Sequence, residues 1–165
     1  MNPHANQFIK KLSHPLRFKF FLFWKLPSAF FSGLAIRQLN TERAEITVPY
    51  KWFSQNPFRS TYFACLSMAA EMSTGLLALA QIYKRKPSVS MLVVKMESHF
   101  IKKATCKTIF TCEAGNDFER IIDECCRTGE AHTYVSTATG RNEKGELIAE
   151  FFITWSFKAR VNQIT

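Results

Sequence analysis

The sequence predicts an α+β domain in which an antiparallel sheet curls around one long central helix, with an N-terminal helical arm in front of it. Three observations predict this. Residues 58–82 carry the longest helical pattern and are apolar almost all round, so that helix is buried on most sides. One segment before it and four after it alternate with a period of two, as strands do. The chain has 165 residues, 47% of them hydrophobic and 21% charged, which is one full core of ordinary globular composition and excludes a disordered or repetitive chain.

Residues 1–39 form the arm. Phe8, Ile9, Leu12, Leu16, Phe20 and Phe23 recur at helical spacing, with Lys10, Lys11, Arg17 and Lys19 between them. Pro15 and Pro27 break the arm into pieces. The reading taken is that this stripe packs on the domain at 40–165. Membrane-surface docking is the alternative, since basic charge beside Phe and Trp24 suits an anionic interface.

Residues 42–50 alternate, with Ala44, Ile46, Val48 and Tyr50 on one side, and predict a half-buried strand. A loop at 53–57 follows. The long helix is expected over 58–82, capped by Ser60 or Thr61 and ended by Lys84-Arg85-Lys86-Pro87. Residues 90–102 predict a strand with Leu92, Val94, Met96 and Phe100 on one face, and 104–113 predict another. Asn116 with Glu119 three residues on resembles a capping box, opening a short helix that Gly129 stops. Residues 131–139 and 147–160 predict a hairpin over a polar loop at 140–146.

The net charge of +9 is uneven. Residues 1–51 hold eight basic side chains against Glu42 and Glu45, a balance of +6, and the other 114 residues carry +3. A basic face of this kind meets an anionic partner, or is simply solvated. The five cysteines, Cys65, Cys106, Cys112, Cys125 and Cys126, have no zinc-site or disulfide-framework spacing, so free thiols in a reducing cytoplasm are expected. No metal ligand set is visible. No phosphate loop or dinucleotide fingerprint occurs, so no cofactor is expected. The longest uncharged stretch near the N-terminus, 26–36, is too short to span a bilayer, and a soluble protein is expected. His99 and His132 fall on strands without a fixed partner, and nucleic-acid binding has only charge to recommend it.

One acid stands in the long helix. Glu71 lies in Ser67-Met68-Ala69-Ala70-Glu71-Met72-Ser73-Thr74-Gly75, where an unpaired carboxylate costs several kcal/mol. Burial raises its pKa, which suits a general base. A structural Glu bonded to a hydroxyl or to Arg59, or exposed at a helix edge, is the other reading.

Strand, long helix with one carboxylate, then four strands resembles the hotdog fold of acyl-CoA thioesterases and hydroxyacyl dehydratases. Pro49-Tyr50-Lys51-Trp52, Asn56-Pro57-Phe58-Arg59-Ser60-Thr61-Tyr62-Phe63 and Ala69-Ala70-Glu71-Met72-Ser73-Thr74-Gly75 resemble a thioesterase-like bacterial family of that superfamily, as does Gly140-Arg141-Asn142-Glu143-Lys144-Gly145-Glu146-Leu147 at the entry to the last strand. The resemblance implies a thioester site at the interface of a homodimer, or of a dimer of dimers. In phenylacetyl-CoA-type thioesterases a His-Gly-Gly opens the helix and a carboxylate follows about two and a half turns later. Glu71 matches that carboxylate, as base or nucleophile. Tyr62-Phe63-Ala64 stands in place of His-Gly-Gly, so the N–H of Phe63 or Ala64 is implied to polarise the thioester carbonyl, and the Phe63 ring narrows the approach that glycines leave open. Asn56 matches an orienting polar residue, and Ser73 and Thr74 are implied to hold a water near the carboxylate. The implied partner is an acyl-CoA or an acyl-carrier thioester. The arm is expected to roof the acyl pocket with Phe20, Phe23, Phe30 and Phe31, with Lys19, Lys25 and Arg37 outward. A non-catalytic acyl- or lipid-binding module remains open beside hydrolysis.

Overall fold

A computed structural model describes residues 2–160; residue 1 of the expected arm and residues 161–165 of the expected domain lie outside the described residues. Three short helices come first: α1 (Ala5–Leu12), α2 (Pro15–Lys25) and α3 (Pro27–Ser32). Then follow β1 (Ala35–Leu39), β2 (Ala44–Val48), a 3-10 turn at Trp52–Ser54 and the central helix α4 (Phe63–Ile82). The chain continues through β3 (Val89–Phe100), β4 (Thr108–Cys112), α5 (Gly115–Thr128), β5 (His132–Asn142) and β6 (Leu147–Ala159). The strands form one sheet in the order β1-β2-β4-β5-β6-β3, antiparallel throughout. This is the α+β hotdog architecture expected from the sequence.

The sheet wraps α4 because both carry the apolar residues for it. Ile46, Val48, Phe110, Phe151, Ile153 and Phe157 are fully buried on the sheet side, and Leu76 and Leu77 on the helix side. Each such side chain contributes about 1.5–3 kcal/mol on leaving water. By length and composition α4 would pass for a membrane span, but most of it lies inside this core.

Several element boundaries differ from the sequence expectation, each for a local reason. α4 starts at Phe63 rather than near residue 58, because Arg59 takes a left-handed conformation with φ 58° and the chain from 55 to 61 closes into a loop. Neither expected cap is used. The Ser60 hydroxyl donates to Asn56 Oδ1, and the Thr61 hydroxyl donates to the Ala104 carbonyl. The expected capping box at Asn116 is also absent, since α5 already begins at Gly115. Asp117 instead accepts a hydrogen bond from the Tyr134 hydroxyl at 2.9 Å. Gly129 does end α5, with φ 74°.

The arm runs beside α4 from end to end. The Asn2 amide nitrogen reaches the carbonyls of Ala80, Gln81 and Tyr83 near the C-terminus of α4. Ser32 Oγ meets Cys65 Sγ at 3.5 Å near its start. Its last residues form β1, paired through Ile36↔Ile46, where a helical continuation was expected. The expected stripe holds in α1, where Ile9 and Leu12 are buried, and fails in α2. Pro15 opens α2 as a separate helix, and the residues that turn inward are Phe18 and Leu22. Leu16, Phe20 and Phe23 therefore point to solvent. None of the arm's rings lines the cavity of about 800 Å³ beside the start of α4.

This phase has a direct test. Phe18→Ala should destabilise the protein by about 3 kcal/mol or more, as for other buried Phe truncations. Phe20→Ala should change stability by less than about 0.5 kcal/mol. Chemical denaturation of the two variants checks it, and equal losses would contradict the packing.

Candidate functional site

The loop before α4 is built around one side chain. Asn56 Oδ1 accepts from the N–H of Phe58 (3.0 Å), the N–H of Ser60 (3.2 Å) and the Ser60 hydroxyl (3.2 Å). That loop is tied to the segment after β3, where the Ala104 carbonyl accepts from both Thr61 N–H (2.8 Å) and Thr61 Oγ1 (3.1 Å). Between them opens a mainly apolar cavity of about 800 Å³, lined by Asn56, Tyr62, Phe63, Leu66, Phe100 and Lys103 among others.

The start of α4 faces this cavity. Of its first four N–H groups, those of Cys65 and Leu66 go to the Tyr62 carbonyl. The N–H groups of Phe63 and Ala64 have no acceptor among the described residues. They lie at the positive end of a 20-residue helix and can receive developing negative charge. The rings of Tyr62 and Phe63 pack edge-on at 4.8 Å beside them, and Phe63 is 55% exposed.

Glu71 lies farther along the helix. Eight residues at 1.5 Å each place it about 12 Å from Phe63, and it does not line the cavity. Its Oε1 lies 3.4 Å from where a side chain on Gly75 would begin, next to the Trp155 indole. A Cβ there would meet the carboxylate at ordinary contact distance, and the Trp155 ring slightly closer, at 3.3 Å. Burial pushes the Glu71 carboxyl up from its ordinary range, and no ion pair or hydrogen bond offsets this among the described residues. Arg59, the partner considered from sequence, sits exposed in the loop.

Ser73 and Thr74 are turned into the packing. The Ser73 hydroxyl donates to the Ala70 carbonyl at 2.7 Å, and Thr74 donates to the Glu71 carbonyl at 2.9 Å while accepting from Trp155 Nε1 at 3.0 Å. Their hydroxyl protons are committed to the helix backbone, so the geometry does not support the water-holding role expected of them. The structure therefore brings Asn56, Tyr62 and Phe63 together around the cavity, with Ala64 next to Phe63 in the first turn of α4, and leaves Glu71 on the same helix, two turns away.

One stripe of α4 ties the two places. Ala64, Ser67, Met68 and Glu71 follow helical spacing and are all only partly covered by the chain. Nearby in the fold, β3 forms a sheet edge of 12 residues on which Leu92, Val94, Met96 and Phe100 are exposed. Sequence reasoning missed the cavity wall at 100–104. Its signal was Lys102-Lys103 directly after an apolar strand. His99 and His132 stay outside the site, His99 beside Phe152 and His132 beside Thr128. Among the described residues no cluster of His, Cys, Asp or Glu could hold a metal ion.

Residues 17–157 match the model of a family described as a domain of unknown function, DUF4442. No curated protein sequence matches. Solved structures share the fold at low identity. A Pseudomonas aeruginosa protein of unknown function, described as a probable thioesterase, is 19% identical with a TM-score of 0.74 over 88% of this chain and 97% of its own. A protein of unknown function from Chlorobaculum tepidum is 17% identical, TM-score 0.76, over 94% and 97%. A Haemophilus influenzae thioesterase is 13% identical, TM-score 0.62, over 87% and 90%.

The raised Glu71 pKa fixes the sign of a stability effect. Between the ordinary carboxyl range and the raised value, the folded chain keeps a proton that the unfolded chain has released. Stability therefore falls as pH rises through that window. Glu71→Gln should melt higher than the parent at neutral pH, with the difference shrinking toward pH 4. Thermal melts across pH check this, and a variant that melts far lower at neutral pH would contradict it.

Proposed function

The chain belongs to the DUF4442 family, whose domain is of unknown function, and from its hotdog fold and the geometry at the start of α4 we propose that it binds an acyl-CoA or acyl-carrier thioester and hydrolyses it as a homodimer. The observation that carries this reading is the pair of unused amides, Phe63 and Ala64, at a helix start whose Phe63 lines an apolar cavity, with an uncompensated carboxylate farther along the same helix.

In the proposed reaction the two amides hold the thioester oxygen as it becomes an oxyanion. Ionised Glu71 takes a proton from water, whose oxygen attacks the carbonyl carbon. The carbon–sulfur bond then breaks, and the thiolate leaves and is protonated. A raised pKa makes Glu71 a stronger base for that step. The separation of about 12 Å along one helix means that Phe63 and Glu71 of one chain do not meet the same carbonyl. A second copy resolves this if its α4 runs antiparallel to the first, setting the amides of one subunit against Glu71 of the other. The long apolar β3 edge supports such pairing, because exposed edges of this kind seek a partner. Lys103 at the cavity rim offers an exposed cation to phosphates of a carrier. The five unpaired cysteines support a cytoplasmic setting.

The Phe63 ring, standing where glycines open the approach in related enzymes, favours the second reading, a module that binds an acyl group without turnover. Thiol release from a panel of acyl-CoAs separates the two. Hydrolysis is expected in the parent, with a loss of about 100-fold or more in Glu71→Gln, as for removal of a general base. Saturable acyl-CoA binding with no thiol release in the parent would favour the module.

A further inference from the structure

We propose that the arm carries a docking surface for anionic lipid bilayers. It stands whether or not the thioester is cleaved. The surface follows from the phase of α2. With Phe18 and Leu22 turned inward, Phe20 (66% exposed) and Trp24 (76% exposed) are left in solvent. From Trp24 the rings continue in contact without a break. Phe23 lies 5.9 Å from Trp24, Phe30 lies 5.3 Å from Phe23, and Phe31 lies 5.3 Å from Phe30. Phe31 then meets Phe53 at 5.9 Å, and Phe53 meets Trp52 at 6.4 Å. The ridge thus joins α2, α3 and the turn at Trp52–Ser54, and ends in Trp52, 82% exposed.

The charged side chains that the arm itself carries have one sign. No acidic residue precedes Glu42 in the sequence. Arg17, Lys19, Lys25 and Lys51 are exposed and have no ion pair among the described residues. The Lys51 ammonium lies against Gly33 at the end of α3, beside the ridge. A protein partner of ordinary composition offers both signs of charge. A surface of rings ended by two Trp and carrying the arm's exposed cations complements an interface that is apolar below and anionic above. A second copy paired through β3 would leave the ridge free, since β3 is one edge of the sheet and α2 packs beside β1 at the other.

Three tryptophans make the test internal. Trp24 and Trp52 lie on the ridge, while Trp155 is 4% exposed in the core. The parent should float with phosphatidylcholine vesicles containing phosphatidylglycerol at low salt. It should release at high salt and leave pure phosphatidylcholine unbound. Brominated lipid should quench the parent and spare Trp24→Phe/Trp52→Phe, in which only Trp155 remains. Lys19→Gln/Lys25→Gln/Lys51→Gln should bind about 100-fold more weakly at an unchanged melting temperature, from about 5-fold per lysine. Absence of parent binding to anionic vesicles at low salt would overturn the proposal. So would equal binding by the lysine variant, or equal quenching in Trp24→Phe/Trp52→Phe. An oligomer that dissociates on Phe20→Ser/Trp24→Ser, with no vesicle binding, would identify the ridge as a contact between copies instead.

Discussion

A helix that is apolar almost all round has to be covered on every side, and the rest of this structure answers that requirement for α4. The sheet covers one side through β2, β4, β5 and β6. α5 covers part of a second, and the arm runs along another, held at both ends by Asn2 and Ser32. What the chain covers only in part is the stripe of Ala64, Ser67, Met68 and Glu71. The cavity, the unused amides and the carboxylate all lie along or at the end of that stripe. The proposed second subunit would complete the coverage and the site in one step.

Glu71 works against folding, and the proposed site gives a reason for a carboxylate to be kept there. A carboxylate beside Trp155 with no cation near it loses hydration without recovering it. Gly75, in the next turn against the Trp155 ring, gives up helix propensity, which costs up to about 1 kcal/mol relative to alanine. Two locally unfavourable choices in adjacent turns of the best-packed helix are what a functional site looks like when the rest of the sequence agrees with the fold.

That agreement explains what was legible in the sequence. α4 and the strands after it stand out because their periods of burial are long and unbroken, and Glu71 stands out as the one acid among them. β1 was hidden because its five residues follow directly on the apolar run of α3 and sit at an exposed edge. The face of α2 was hidden because nearly every residue in it is apolar, so periodicity cannot choose a side. Pro15 and the inward turn of Phe18 and Leu22 choose it. Asn56 was legible as a polar residue before the helix, but its three-donor bond to its own loop depends on the left-handed turn at Arg59. Ser73 and Thr74 were near the carboxylate in sequence, while the helix points their hydroxyls at its own backbone.

The central claim is that one reaction centre takes its amides from one subunit and its carboxylate from the other. Phe63 is the first helical residue of α4, where proline is tolerated and its missing N–H is the one removed. Phe63→Pro removes the amide, and Glu71→Gln removes the base. Each variant alone is expected to be inactive against an acyl-CoA that the parent cleaves. Unfolding and refolding the two together should restore partial activity, because mixed dimers hold one intact centre. Mixed dimers as inactive as either variant alone would contradict the account.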